Sequence, residues 1–204
     1  TGVQTCALPI FIFLLVIKYG SCSLKTWVTS DLHLDHANIM KYSPTYRQFD
    51  NVDHMNSEII INWNLNVQPD DVVYILGDVA FCEASKAAKF FQQLNGKKIL
   101  IEGNHDHKLV KNQFFRDQFE EIHKYLEIVY NGHKICMFHY PISEWNQCHR
   151  GSIMLHGHLH GNPSGLEHSR VRDVGFDATG NVVSLLDDIV ADALQSDIRI
   201  HGWR

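Results

Sequence analysis

The chain has 204 residues, 45% of them hydrophobic, enough for one sizeable core and too few for several full-sized domains. Its formal net charge of −5 gives no basic footprint for a long polyanion, which excludes an extended nucleic-acid surface and leaves only a short contact open. Five cysteines (Cys6, Cys22, Cys82, Cys136, Cys148) are odd in number and lack a CxxC spacing, so reduced thiols and a cytoplasmic location are expected.

Residues 1–24 are expected to lie outside the fold, as artefact or leader. The chain lacks an initiator Met, and residues 1–10 (TGVQTCALPI) resemble a translated sequencing adapter. The apolar run 8–17 has no positive charge ahead of it, unlike an export signal, and is too short to span a bilayer. Residues 25–195 are expected to form a single domain, with 196–204 as a tail.

Residues 26–30 (TWVTS) are a β-prone run ending at Asp31. Residues 50–67 carry Val52, Met55, Ile59, Trp63 and Val67 near helical spacing, with Asp50 or Asn51 as N-cap and Pro69 just past the end. Residues 72–76 (VVYIL) read as a buried strand delivering Gly77-Asp78, residues 83–94 as a helix closing on Asn95-Gly96, and residues 98–102 as a strand delivering Gly103-Asn104-His105. This is βαβ order, with polar residues grouped where strands end. Trp63 and Phe90 belong to the helix cores.

The second half changes character. Residues 122–130 and 133–139 flank Asn131-Gly132, the strongest short hairpin signal, and the second arm ends on His139. Residues 152–155 lead into His156-Gly157-His158-Leu159-His160; residues 170–178 and 182–184 supply further strands, and 185–194 a last helix. The order fits two packed sheets with helices outside better than one doubly wound sheet.

Five separated patches carry metal-binding residue types, each after a short apolar run: Asp31-Leu32-His33, Gly77-Asp78, Gly103-Asn104-His105-Asp106, His139, and Gly157-His158-Leu159-His160. In an extended segment Asp31 and His33 face the same side and can share one cation, and His158 and His160 have the same relation. Gly157 removes a side chain where backbone and ions crowd. Each patch alone has an ordinary explanation: Gly77-Asp78 as a turn, His156 to His160 as a surface histidine tract, His139 as a core histidine. Asn104 is an unusual transition-metal ligand and counts only beside the others. Together, carboxylates, imidazoles and an amide oxygen arriving from five strand ends suit a pair of divalent cations.

The joint pattern Ser30-Asp31-Leu32-His33-Leu34, Tyr74-Ile75-Leu76-Gly77-Asp78, Gly103-Asn104-His105-Asp106, Phe138-His139 and His156-Gly157-His158-Leu159-His160 resembles that of the calcineurin-like metallophosphoesterases, over roughly residues 26–190. The resemblance implies a four-layer α/β/β/α sandwich, two mixed sheets flanked by helices, with a dinuclear site on its rim. It implies Asp31, His33 and His160 on one metal, Asn104, His139 and His158 on the other, Asp78 bridging them, and His105 beside both as the catalytic acid or phosphoryl hydrogen-bond donor. The implied activity is hydrolysis of phosphate mono- or diesters of a small substrate by a metal-bridged hydroxide, with Mn²⁺ first among the metals and Fe, Zn²⁺ or Ni²⁺ as alternatives. A nuclease or cyclic-nucleotide phosphodiesterase is the enzymatic alternative, and a noncatalytic scaffold of the same fold the other.

Departures from the family narrow the choice. Val79-Ala80-Phe81-Cys82 stands where protein Ser/Thr phosphatases carry Asp-Arg-Gly, and His105 where lipid A precursor hydrolases carry Arg. The repair nucleases add capping regions for which this chain has no length. The small bacterial and phage phosphoesterases resemble it most, with Asp35 in place of a Gly, a substitution that a left-handed turn accepts. His36 and Asn38 are further pocket candidates and Arg150, with His149, a candidate phosphate clamp. Asp106 is expected to do no more than support a neighbour. Cys82 and Cys148 are expected to be incidental. Nothing in the sequence sets the oligomeric state.

Overall fold

The computed structural model describes residues 24–199; the expectations for residues 1–23 and 200–204 lie outside the described residues. Strands β1 (Thr26–Thr29), β2 (Val72–Ile75), β3 (Lys97–Ile101), β4 (Glu121–His123) and β9 (Ser184–Leu185) form one sheet, ordered β4-β3-β2-β1-β9, in which only β9 runs antiparallel to its neighbour. Strands β5 (Tyr125–Tyr130), β6 (His133–Phe138), β7 (Ile153–His156) and β8 (Val171–Asp173) form the other, with an antiparallel β5-β6 hairpin and parallel pairs beyond it. The fold is mixed α/β, two mixed sheets flanked by helices.

Side-chain alternation sorts the residues into layers. Trp27, Val73, Ile75 and Leu100 face outward from the first sheet into one core with Met55, Ile59 and Trp63 of α2 (Val52–Asn66) and Ala87, Ala88 and Phe91 of α3 (Ala84–Phe91). Val28, Leu76 and Ile101 face the other way, meeting Ile135, Met137, Ile153 and Leu155 between the sheets, where α6 (Leu186–Ala193) adds Leu186, Val190 and Ala193. Cys136, Met154 and Val171, on the far face of the second sheet, are covered by Trp145 and Cys148 from the loop that follows β6.

The expected helix over 50–67 begins where Asn51 Oδ1 accepts the His54 N–H at 2.9 Å and ends at extended Val67, two residues before Pro69. Trp63 is fully buried and Phe90 packs half-buried against the same core. Two expectations need correction. Residues 122–130 are not one strand: the chain bends at Lys124, so β4 pairs with β3 in the first sheet and β5 with β6 in the second. Alternation continues on both sides of the bend, so periodicity hides the crossing. Residues 170–178 are strand only over β8; at Gly175 the chain turns into α5 (Phe176–Thr179), whose last N–H groups return to the Gly175 carbonyl. Helices α1 (Ile39–Tyr42) and α4 (Gln113–Arg116) are too short for a periodic signal. At the chain's end, Ser196 accepts from Arg172 at 2.8 Å and the Asp197 N–H donates to the His168 carbonyl at 3.2 Å. Among the described residues no helix is long and apolar enough to cross a membrane.

Trp63 fills the core under the first sheet and donates its indole N–H to the Asn95 carbonyl at 2.9 Å, tying α2 to the turn before β3. Trp63→Ala is expected to destabilise the protein by roughly 3–5 kcal/mol, read as a lowered midpoint in urea denaturation; a loss below about 1 kcal/mol would contradict this packing.

Candidate metal centre

The five motif segments leave the C-terminal ends of β1, β2, β3, β6 and β7 and meet at one rim of the two sheets. Contrary to the expectation of a shared face on extended backbone, Asp31 and His33 come after β1 has ended, and His158 and His160, past the end of β7, fall in different ligand groups. Asp31 has φ 56° and His33 φ 49°, with Asp35 at φ 64°; Asp78 (52°), His158 (71°) and His160 (52°) are also left-handed. Such backbone costs roughly 1–2 kcal/mol at each non-glycine residue. Cross-strand bonds hold it in place: the Asp31, His33 and Leu34 N–H groups donate to the carbonyls of Gly77, Asp78 and Val79 at 3.0, 3.1 and 3.0 Å. Asp35 adopts the left-handed turn expected of it.

Two glycines set how closely the segments approach. A Cβ on Gly157 would lie 1.9 Å from Ser30 Oγ and 2.3 Å from Asp31 Oδ2; one on Gly103 would lie 2.4 Å from Asp78 Oδ1. No side chain fits at either place.

All seven expected metal residues are brought together. Asp31, His33 and His160 offer ligand atoms within 4.8 Å of one another, and so do Asp78, His139 and His158. Asp78 Oδ2 lies between the groups, 4.0 Å from His33 Nε2 and 3.5 Å from His139 Nε2. Asn104 Oδ1 is 2.9 Å from His139 Nε2. His105 Nε2 stands 3.9 Å from Asp78 Oδ2 on a half-exposed side chain.

The residues present fit a pair of cations. Asp31 Oδ1 and His33 Nε2 are buried, 3.8 Å apart, and neither has a hydrogen-bond partner. Orphaned buried polar atoms are costly, and a cation satisfies both a carboxylate oxygen and an imidazole lone pair. The other ring nitrogens are already committed: His139 Nδ1 pairs with the Leu76 carbonyl at 2.7 Å and His160 Nδ1 with Asp177 Oδ2 at 2.6 Å, leaving both Nε2 atoms for the centre. The His158 N–H donates to Asp31 Oδ2 at 2.8 Å, fixing that carboxylate's orientation.

Electrostatics follow this arrangement. Burial pushes Asp78 up, but the bond and charge of His139 and the His105 N–H hold it down at about 2. Burial pulls His139 down, and Asp78 and Asp31 more than offset it, raising it to about 9. Burial depresses His33 against the pull of Asp31. For His160, burial is outweighed by Asp177, and the net shift is upward.

Two residues with larger structural roles than their sequence contexts signal stand behind the centre. Arg47 is fully buried; its guanidinium donates to the Asp31 carbonyl at 2.5 Å, the Leu32 carbonyl at 2.9 Å and both oxygens of Asp177 at 2.7 and 3.0 Å. A single Arg in an aperiodic polar loop carries no sequence signal for burial. Asp106 accepts the N–H groups of Asp78, Val79 and Gly103 at 2.9, 3.0 and 2.8 Å, clamping the second and third segments together, and burial raises it to about 6. Of the remaining candidates, His36 lines a cleft beside the centre with His33, His105 and His160. Asn38 is exposed and makes no side-chain cap on α1. His149 and Arg150 sit exposed on a 3₁₀ turn and line none of the clefts at the centre. Cys148 is buried beneath the second sheet, whereas Cys82 lines a second cleft with His105, its thiol pushed up to about 11 by burial and then by Asp35.

Residues 24–201 match the calcineurin-like phosphoesterase family. The chain belongs to that family. Among its relatives, an uncharacterised protein of Methanocaldococcus jannaschii is 40% identical over 140 residues, 68% of this chain and 70% of that one. The gene 66 protein of Mycobacterium phage L5 is 31% identical over 191 residues, 78% of this chain and 89% of that protein. A protein of unknown function from Aquifex aeolicus superposes with a TM-score of 0.65 at 23% identity, covering 81% of this chain and 97% of that one, which shows a shared fold.

In this calcineurin-like phosphoesterase, Arg47→Met removes the counter-charge of buried Asp177. It is expected to cost about 3–5 kcal/mol in urea denaturation; a neutral result would mean the pair is dispensable. His139, raised to about 9, and His160, also raised, contribute stability that is fully present below an unfolded value near ~6.5 and is lost as pH rises through the folded value. The melting temperature of chelator-treated protein is therefore expected to fall between about pH 6.5 and 9; a flat profile there would show that His139 is not held protonated without metal.

Proposed function

We propose that the protein is a metal-dependent phosphoesterase hydrolysing mono- or diesters of a small substrate, with Asp31, His33 and His160 on one divalent ion, Asn104, His139 and His158 on the other, and Asp78 shared. The observation that carries this reading is the pair of ligand groups meeting at Asp78 Oδ2, with Asp31 Oδ1 and His33 Nε2 orphaned beside it. When bound, two such ions supply Lewis-acid charge for phosphate oxygens and a water nucleophilic at neutral pH. Mn²⁺ is the first choice for this oxygen-and-imidazole set, ahead of Fe, Zn²⁺ or Ni²⁺.

The chain's own residues do the remainder. Leu76 and Asp177 hold the His139 and His160 rings with Nε2 toward the centre. Asp106 fixes the backbone on both sides of Asp78, and the His105 N–H holds Asp78 Oδ1 at 3.0 Å. His105 then presents an imidazole at the open side, placed to donate a proton to the leaving oxygen or a hydrogen bond to the phosphoryl group. The complete set of ligand residues and His105 favours an enzyme over a noncatalytic scaffold. Cys82 and Cys136, which form no disulfide, are in keeping with the reducing cytoplasm as its location.

Chelated protein is expected to be inactive on bis(p-nitrophenyl) phosphate and to recover with Mn²⁺; activity surviving thorough chelation would end the metal-dependent reading. His105→Ala is expected to lower kcat by roughly 10²–10⁴ while metal content, measured by elemental analysis, stays at two ions per chain. Unchanged turnover would remove His105 from the chemistry.

A further inference from the structure

Beside the candidate centre lies a cleft of about 550 Å³ that shares His33, His105 and His160 with it. One wall is a run of aromatic rings in continuous contact. His105 meets Phe81 at 4.5 Å between centroids, Phe81 stacks on His36 at 3.9 Å with planes 11° apart, and His36 meets Tyr42 edge-on at 6.4 Å. Tyr42, at the end of α1, is 73% exposed, and Tyr46, also lining the cleft, is 45% exposed and lodged against Gly180. A single exposed tyrosine means nothing. A file of rings that starts at the candidate proton donor and ends at one is different, because the stacked Phe81 and His36 rings lead away from the place where phosphorus would sit and the Tyr42 ring at the end is left uncovered.

Charge narrows what those faces would take. Among the residues lining this cleft none is Lys or Arg, and the nearby guanidinium of Arg47 is buried and fully engaged. The cations lie in the second cleft, across Phe81 and His105, where Lys86 and Lys108 are found. An arm rich in further phosphates has no partner on the aromatic side; a flat uncharged ring has. Ser43, Thr45 and Asn162 add neutral donors and acceptors at the same wall, as the polar edge of a heterocycle requires.

We propose that the cleft lined by Phe81, His36, Tyr42 and Tyr46 is a stacking subsite for the base of a nucleoside phosphate ester, which makes nucleotides or short oligonucleotide ends the substrate class. This rests on the phosphoesterase reading, since the phosphate must sit at the metal residues for the base to reach the rings. Base stacking is sequence-tolerant, so little discrimination among bases is expected.

The test compares adenosine 5′-monophosphate with ribose 5-phosphate, which differ only in the base, by calorimetric titration of Mn²⁺-loaded protein. The nucleotide is expected to bind about tenfold tighter. Tyr42→Ala is expected to remove most of that gap and Tyr42→Phe to keep it; because Tyr42 is largely exposed, both variants should melt with the parent protein. Equal affinity for the two ligands, a gap untouched in Tyr42→Ala, or no binding of either would overturn the subsite. Hydrolysis of bis(p-nitrophenyl) phosphate is measured in parallel. A base-dependent gap without hydrolysis would sink the phosphoesterase reading and with it the substrate class, leaving only a stacking site for a bound nucleotide, whereas hydrolysis without a gap would sink the subsite alone.

Discussion

The guanidinium of Arg47 holds together what the candidate centre needs at its back. Five segments arrive at the rim from two sheets, and the first has left regular strand geometry before its first candidate metal residue. Its carbonyls at Asp31 and Leu32 point into the protein and would be left bare without a donor. Arg47 supplies donors to both, and its remaining N–H groups grip Asp177, whose second function is to hold His160 Nδ1. One rigid fork thus couples the turn after β1 to the turn after β7, across the gap between the sheets. A lysine has no such planar set of donors. The desolvation cost of a buried cation is met here by a buried carboxylate and two carbonyls, each at hydrogen-bond distance.

Asp106 does the same for the second and third segments. Three backbone N–H groups converge on one carboxylate, which lets Gly77-Asp78 and Gly103-Asn104 lie nearly in contact. The close approach of Gly103 to Asp78, and of Gly157 to Ser30 and Asp31, leaves no room for a Cβ, and the left-handed turns at Asp31, His33, Asp78, His158 and His160 aim the side chains inward. The cost of those turns is distributed over the cross-strand bonds and the two buried polar anchors. The result is a concentration of acids and imidazoles dense enough that Asp78 and His139 shift each other in opposite directions. The aromatic file from His105 to Tyr42 opens from this same rigid rim, so any ring stacked there is set at a fixed distance from the metal residues.

Much of this was legible in the chain. The strands before Gly77, Gly103, His139 and Gly157 are apolar runs bounded by turn residues, and the helix with Asn51 as its cap follows its periodicity to within two residues. What was hidden has a common cause. The break at Lys124 leaves alternation intact on both sides, so one pattern reads as one strand although β4 and β5 belong to different sheets. The four-residue helices α1, α4 and α5 are shorter than a window in which a 3.6-residue period can be seen. Arg47 and Asp177, 130 residues apart, have no local signature, because their burial is a property of the partner each finds.

By itself the sequence determined which chemistry the chain carries and where along it: acids, imidazoles and an amide placed after apolar runs, with glycine where segments crowd. Those are local properties, set by residue type and by the short-range geometry of strand ends. Only the tertiary structure decided how the segments face one another: that Asp78 Oδ2 falls between His33 and His139, that Arg47 is buried behind the centre, and that rings from three separate segments line up beside it. Those relations depend on distances between residues far apart in the chain, which the packing of two sheets fixes and no stretch of sequence encodes alone.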